Sequence, residues 1–488
     1  MKSIDFSKFE KIVVYGAGVV GSLFLSFLKD KNVCSKNVIV FDMRYEQPGD
    51  ILGYTVNFPD FEVDINKDKA LAVIALNVSK SLLINEIYEK FLASGYKNIK
   101  IAEEVMRSLR NAKTVSACNF YAAYNSVYQD DADFSGQNSS VKLVAYYLPQ
   151  FHEIPENNKW WGEGFTEWTN TKKSLPLYKG HYQPREPHDD IGYYDLSDTN
   201  AIRKQASLAK RHGIYGWAIY YYWFSGKKFL STPLEIIYRN KDIDINYCLC
   251  WCNEKWSKIW KGDETEVLAE NNYSADDPFH FIEDLYKFML DERYIRIGGK
   301  PVIMVYQAQT IPDLANMLLK WREHARTLGI GEIYVVSSIQ PLTLHELGLV
   351  GCFDAEAEFN NLYKTTDCVQ LVDDNGNQVS NDLCYYDSFV DKCTEEDTGL
   401  NTTQRFFSVT CGFDNTPRYG NRATICDVGF SLESWYKLCK HKIEKSLAEG
   451  NELLFVFAWN EWAESAYLEP DKKFGYAMIN TLSRAVFT

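Results

Sequence analysis

Much that would place a chain quickly is missing from this one. Its 488 residues contain no Cys-x-x-Cys pair and no His-Glu-x-x-His helix, which argues against a dedicated zinc site. No run of about 18 apolar residues is present, so no helix is expected to span a bilayer. The opening MKSIDFSKFEK lacks the apolar stretch of a signal peptide. Positive charge is short: 52 Lys and Arg stand against 66 Asp and Glu, and the net charge of −14 disfavours nucleic acid or an anionic membrane as partner. The twelve cysteines form no disulfide framework, since Cys248, Cys250 and Cys252 alternate along one apparent strand, a poor geometry for pairing. Together these absences predict a soluble, cytoplasmic protein with no metal, no nucleic-acid partner and no integral membrane segment. No internal repeat or long low-complexity tract appears.

What is present is ordinary in bulk and unusual in detail. The length suits about three domains, or one large α/β barrel and a smaller companion. The chain is 46% hydrophobic and 24% charged, a globular balance. Aromatic residues make up 15% of it: 32 Tyr, 28 Phe and 12 Trp. Flat aromatic faces stack on sugar rings, and they also fill cores.

Residues 1–112 read as a small Rossmann-like α/β domain with a parallel sheet. The β-rich run Lys11–Tyr15 leads into Gly16-Ala17-Gly18-Val19-Val20-Gly21, then a helical stretch, then a strand ending at Asp42. Gly16, Gly18 and Gly21 allow a tight turn, close approach to a phosphate and tight helix packing, and Asp42 is placed to accept hydrogen bonds from a ribose. Two readings stand: a bound nucleotide, or a relic used for docking. Residues 113–140 read as a polar, turn-rich linker.

From residue 141 to 488 strands alternate with helices. Strands are predicted at Lys142–Tyr147, Ile214–Tyr222, Asn246–Cys252, Pro301–Tyr306, Ile333–Ser338, Gly351–Glu356, Phe406–Cys411 and Leu453–Trp459. Amphipathic stretches such as Thr199–His212 and Ile311–Leu328 lie between them. This pattern predicts a (β/α)8 TIM-type barrel, whose chemistry sits at the C-terminal ends of its strands. At those ends tryptophans and acids pile up together: Trp160, Trp161, Glu167 and Trp168; Tyr222 and Trp223; Trp251, Asn253, Glu254 and Trp256; Tyr306; Asn460 and Trp462. A core favours the rings but not the acids, and a solvated face the acids but not the rings. The combination suits a sugar cleft.

Glu461 and Glu464 are the sharpest pair. Three residues apart on a turn, they share one side with Cβ atoms about 5–6 Å apart, and retaining glycosidases hold two carboxyls about 5–5.5 Å apart. Mutual repulsion then raises one pKa, leaving one acid protonated and the other basic. An exposed helix start would carry the same spacing, but the flanking Trp459, Asn460 and Trp462 and the barrel position favour a site.

The segments WWGEGFTEW, NEKW, FDNTPR and WNEWAESAYLEPD, all within Val141–Thr488, together resemble the WbsX family of bacterial glycosyltransferases, which is related to glycoside hydrolase family 99. The resemblance implies a retaining, metal-independent endo-α-mannosidase-like barrel that needs no cofactor. Its NEWxEG motif falls on Asn460 to Ser465, making Glu461 the base that takes a sugar 2-hydroxyl proton and Glu464 the acid for the departing oxygen. Ser465 stands where the family usually has glycine. The expected function is making or breaking a glycosidic bond in bacterial surface-polysaccharide (O-antigen or capsule) metabolism, on an oligosaccharide or polysaccharide, in association with polysaccharide-assembly enzymes. The alternatives are non-catalytic glycan binding and, less favoured, nucleotide-dependent oxidoreduction.

Overall fold

The structure is a computed structural model. It describes residues 4–487 except 18, 44, 46, 77–80, 103–104, 106–112, 123, 258–266, 340–342, 346, 363–367, 381 and 396–402.

The first sheet has six strands in the order Gly49–Ile51, Tyr54–Asn57, Val38–Phe41, Lys11–Tyr15, Ala70–Ile74 and Asn98–Ile101. All neighbours are parallel except the hairpin Gly49–Ile51 with Tyr54–Asn57. Lys11–Tyr15 and Ala70–Ile74 are adjacent interior strands, and their near-continuous apolar runs are buried as a strand covered on both faces requires.

The second sheet closes on itself. Its parallel strands run Gln404–Phe406, Ala355–Glu358, Tyr334–Ile339, Lys300–Val305, Asn246–Trp251, Ile214–Phe224, Lys142–Tyr147, Leu453–Phe457 and Ser408–Thr410. The two end members are separated only by Phe407, so they are halves of one strand. One half pairs with Ala355–Glu358 and the other with Leu453–Phe457. The result is the eight-stranded barrel that the sequence predicts; the eight runs named above overlap its eight strands, although Gly351–Glu356 does so only at Ala355 and Glu356, the strand running on to Glu358. Helices such as Thr199–Arg211 return the chain between strands. That helix starts at Asp198, whose side chain accepts from the Asn200 N–H, and buries Ile202, Ala206, Leu208 and Ala209 on one face.

Aromatic rings pack together in the barrel interior. Phe359 packs against Tyr146 at 4.7 Å, Phe457 at 4.8 Å and Tyr306 at 5.1 Å between centroids. This aromatic plug forms the floor on which the site is built.

Residues 113–140, expected as a linker, are laid against other parts of the chain. Lys113–Ser116 pairs in parallel with Cys368–Val372, in a four-stranded sheet with Asp382–Tyr385 and Thr424–Val428. Asn125 and Gln129 bridge to Ser431 and Gly475. Polar composition suggested a solvated tether, but backbone pairing does not depend on side-chain polarity. In that small sheet Cys368 and Cys384 face each other, with Cα atoms 4.4 Å apart, and are joined as a disulfide.

Candidate active site

The chain leaves the eighth barrel strand into a two-residue strand, Asn460–Glu461, and a single 3-10 turn, Trp462–Glu464. Buried, hydrogen-bonded side chains hold this turn. The Asn460 carboxamide accepts from the Leu148 N–H at 2.8 Å and donates back to the Leu148 carbonyl at 3.0 Å, tying the eighth strand end to the first. The Trp462 indole donates to Glu469 at 2.7 Å and stacks on Tyr467 with centroids 3.9 Å apart. Ser465 closes the turn at φ 53°, in the left-handed region that favours glycine. Its hydroxyl accepts from Gln183 at 3.0 Å, an anchor that a glycine at this position would not supply.

A second loop brings in a cation. Asp414 is buried and accepts from the Thr416 N–H at 2.9 Å, from Gln183 at 2.5 Å and from His181 at 2.7 Å. Although burial works against it, His181 and these hydrogen bonds hold its carboxyl down to about 2. Its backbone N–H donates to the Glu464 carbonyl at 2.7 Å, joining the two loops. The short helix Thr416–Tyr419 that follows delivers Arg418.

Arg418 reaches three acids with one guanidinium. Nε donates to Glu167 at 2.7 Å, Nη2 to Glu461 at 3.3 Å, and Nη1 to Glu464. Both glutamates of the pair therefore face the same group and open into the same cavity of about 290 Å³. Burial and then the neighbouring Glu464 charge push Glu461 well above the usual carboxylate range, against the pull of Arg418. Burial also raises Glu464, with Arg418 opposing it. Glu461 is the deeper of the two, its side chain 5% exposed against 19% for Glu464. Both carboxyls are thus held above the usual carboxylate range, and Glu464 holds the closer contact to the cation.

Of the residues singled out in the sequence, Trp161, Tyr222, Glu254, Trp256 and Tyr306 join Glu461 and Glu464 on the cavity wall. Burial carries Glu254 up to about 7, and its Oε2 has no hydrogen-bond partner among the described residues. Tyr222 accepts from Gln150 at 3.0 Å. The others stand behind the wall. Glu167 is fully buried and serves Arg418. Trp160 packs against Phe229 and Trp256. Trp168 donates to the Tyr194 carbonyl at 2.8 Å and packs on Trp462. Asn253 clamps the Gln307 backbone, donating to its carbonyl at 3.0 Å and accepting from its N–H at 2.9 Å. Asn460 and Trp462 shape the turn. Trp223 and Trp251 lie on the outer face of their strands, away from the cavity, because they neighbour the cavity-facing Tyr222 and Cys252 in strands of period two.

From the sequence Arg418 stands only as the last residue of the segment FDNTPR, and Gln150, Asn157, Tyr220 and Lys255 are not among the predicted site residues, yet all five line the cavity. The basic residue closing FDNTPR, at the end of a barrel strand facing two acids, was the available signal for Arg418.

In the first domain Gly16 and Gly21 are both demanded by packing. A Cβ on Gly21 would lie 2.0 Å from the Gly16 carbonyl oxygen, and one on Gly16 2.6 Å from that of Ala75. Asp42 is buried, and its carboxylate accepts from the Ala17 N–H at 2.7 Å. Part of its capacity is therefore spent on the glycine loop itself rather than left for a ribose. Gly18 lies outside the described residues. Among the described residues no group of three or more His, Cys, Asp or Glu is arranged to hold a metal, and no helix is long and apolar enough to cross a membrane.

A closed barrel with paired acids and aromatic rings at its strand ends is an arrangement that glycosidic-bond chemistry can use. The sequence pattern of the glycosyltransferase WbsX family matches residues 143–482, and the chain belongs to that family. It is 36% identical over 353 residues to the protein WxcX from two strains of Xanthomonas campestris pv. campestris, a match covering 70% of this chain and 49% of WxcX. The chain thus spans about half the length of these relatives. Among solved structures, a glycoside hydrolase-like protein is similar at 13% identity and a TM-score of 0.46, covering 74% of this chain and 98% of that one. The GH99 endo-α-mannosidase from Bacteroides thetaiotaomicron is similar at 14% identity and a TM-score of 0.45, covering 71% of this chain and 96% of its own.

Proposed function

We propose that the barrel makes or breaks a glycosidic bond with retention, using Glu461 and Glu464, in the metabolism of a bacterial surface polysaccharide. The observation that carries this reading is the pair itself: two carboxyls on one cavity wall, sharing one arginine, with burial favouring the protonated form of each. One acid is then a proton donor while its neighbour is an acceptor, as two-carboxylate glycoside chemistry requires. In the assignment that follows from the family, Glu461 takes the proton of the sugar 2-hydroxyl as that oxygen closes on the anomeric carbon, giving a 1,2-anhydro sugar. Glu464 gives its proton to the departing oxygen. An acceptor hydroxyl then loses its proton to Glu464, opens the three-membered ring, and the 2-oxygen recovers its proton from Glu461. Water as acceptor gives hydrolysis, and a sugar gives transfer. The family supports transfer.

Because burial and the neighbouring Glu464 charge push Glu461 well above the usual carboxylate range, a second assignment exchanges the roles. A donor carrying a leaving group that needs no protonation separates the two, because it spares only the variant lacking the acid. This chemistry draws on no cofactor. Nucleotide binding by the first domain is a separate proposal, tested by titration calorimetry with NAD and nucleotide sugars.

The experiment is incubation with fluorogenic α-mannosides and defined oligosaccharides, following both released sugar and lengthened products. Turnover of either kind supports the reading. Saturable binding with no turnover on any of them supports a glycan-binding protein instead.

A further inference from the structure

The Glu461–Glu464 pair shares its arginine with a third acid that stands behind the cavity wall. Glu167 is fully buried and opens the helix Glu167–Lys173. Its backbone N–H donates to the Gln150 carbonyl at 3.0 Å, and its own carbonyl accepts from the Thr171 hydroxyl at 3.2 Å. The next residue, Trp168, packs on Trp462 of the turn that carries both glutamates, with centroids 5.4 Å apart. Backbone and ring contacts therefore fix Glu167 relative to the pair.

Its carboxylate takes Nε of Arg418 at 2.7 Å, leaving one terminal nitrogen for each member of the pair: Nη2 for Glu461 at 3.3 Å and Nη1 for Glu464. One positive charge thus stands among three carboxyls. Alone with the pair, the guanidinium would favour both as carboxylates, and neither would have a proton for a departing oxygen. Glu167 offsets that charge from behind. The titration of the groups follows the same balance. Burial works against Arg418, and Glu167, followed by Glu464 and Glu461, holds its guanidinium well above the ordinary range. Burial and the Glu464 charge raise Glu461, Arg418 pulls it down, and Glu167 pushes it up again. Burial raises Glu464, Arg418 opposes, and Glu167 acts with burial.

We propose that Glu167 is a positioning residue that sets the charge state of the catalytic pair through Arg418: it turns the two terminal nitrogens onto the glutamates while cancelling much of their charge, so that the pair keeps a proton to give. The use made of that proton rests on the two-carboxylate reading of the barrel. The placement of the charges does not.

Other titratable groups face the pair across the cavity. Tyr220 and Tyr222 come from the second barrel strand, Cys252, Glu254 and Lys255 from the end of the third, Tyr306 from the end of the fourth, and Tyr419 stands beside Arg418. Burial above all holds Tyr220, Tyr222, Cys252 and Tyr306 well above their ordinary ranges, so they stay neutral while carboxyls titrate. Lys255 is paired with Glu270 at 3.0 Å. Glu254, carried by burial up to about 7, titrates in the same window and has to be identified separately.

The whole chain, labelled with glutamate carrying ¹³C at the side-chain carboxyl, is titrated by NMR from roughly pH 4 to 9. Glu461→Gln, Glu464→Gln and Glu254→Gln identify the three resonances. The two glutamates titrate in two steps that belong to the pair. In Glu167→Gln the upper step is expected to fall by about one to two pH units, because the charge opposing Arg418 is gone, while the Glu254 step stays in place. Glu167→Asp keeps the charge and should restore most of that shift, which a purely structural brace would not do. Should Glu167→Gln fail to fold, the double substitution Glu167→Gln with Arg418→Gln removes charge and countercharge together, and its upper step should stay within about one unit of the parent. An upper step that is unmoved or raised in Glu167→Gln, an equal fall in Glu167→Asp, or a rise of more than about one unit in the double variant overturns the proposal. These titrations need no turnover, so they decide the role of Glu167 even where no glycoside is processed, an outcome that counts against the enzymatic reading alone.

Discussion

Arg418 and Glu167 stand 251 positions apart in the chain and are joined by a 2.7 Å ion pair beside Glu461 and Glu464. Neither touches the other by virtue of local sequence. The pair fixes the guanidinium so that its two remaining nitrogens meet the two glutamates. Removing a partner from a buried ion pair leaves an uncompensated charge and costs about 3–5 kcal/mol. Arg418→Met is therefore expected to lower the melting temperature strongly at pH 7. The loss should shrink at pH 5, where the stranded carboxyls can protonate. Thermal denaturation at the two pH values checks this.

Stability of the folded chain should fall as pH rises from 5 towards 7.5. Burial raises Glu254 from 4.5 to about 7, so the native state binds that proton more tightly than the unfolded chain does. The associated stability is complete below 4.5 and is lost as pH climbs through about 7. Glu461 and Glu464 shift in the same direction. Asp414, held down to about 2, changes only in acid and does not oppose the trend in this window. Glu254→Gln should flatten the curve, by up to roughly 3 kcal/mol across the range, as read by denaturant titrations at several pH values.

Asn460→Ala removes both hydrogen bonds to Leu148 and leaves that backbone pair buried without partners. A cost of about 2–4 kcal/mol is expected, along with lost turnover, because the turn bearing the glutamates loses its tie to the first strand. Asn460→Asp retains the bond from the Leu148 N–H but not the donor to its carbonyl, and should fall between the two. Denaturant unfolding and rate measurements on both variants check the order.

Gly21→Ala forces a Cβ against the Gly16 carbonyl and should destabilise the first domain by more than 1 kcal/mol or so. The barrel does not depend on this contact, so its turnover should survive. Calorimetry should show an early transition with activity intact at lower temperature.

The sequence reading recovered the barrel well because its strands are long apolar runs between turn signals, and their order in space follows their order in the chain. It also found the cavity acids, since Glu461 and Glu464 are neighbours. Other features required contacts between distant segments. In Tyr220-Tyr221-Tyr222-Trp223-Phe224 every residue is aromatic, so no polar alternation says which ring faces inward, and Trp223 and Trp251 were expected in the active cavity but face away from it. Asn253 and Asn460 are polar residues at strand ends, where a carboxamide clamping a backbone is indistinguishable by sequence from one binding sugar. The strand Lys113–Ser116 finds its partner at Cys368–Val372, far along the chain.

The most direct test of the central claim is turnover by Glu461→Gln and Glu464→Gln, measured beside the unaltered chain on any glycoside it processes. Both variants should keep their melting temperature or gain stability, since each exchanges a buried acid for a neutral isostere, while the rate falls by about a thousandfold or more. A folded Glu464→Gln protein that works at the original rate contradicts the account.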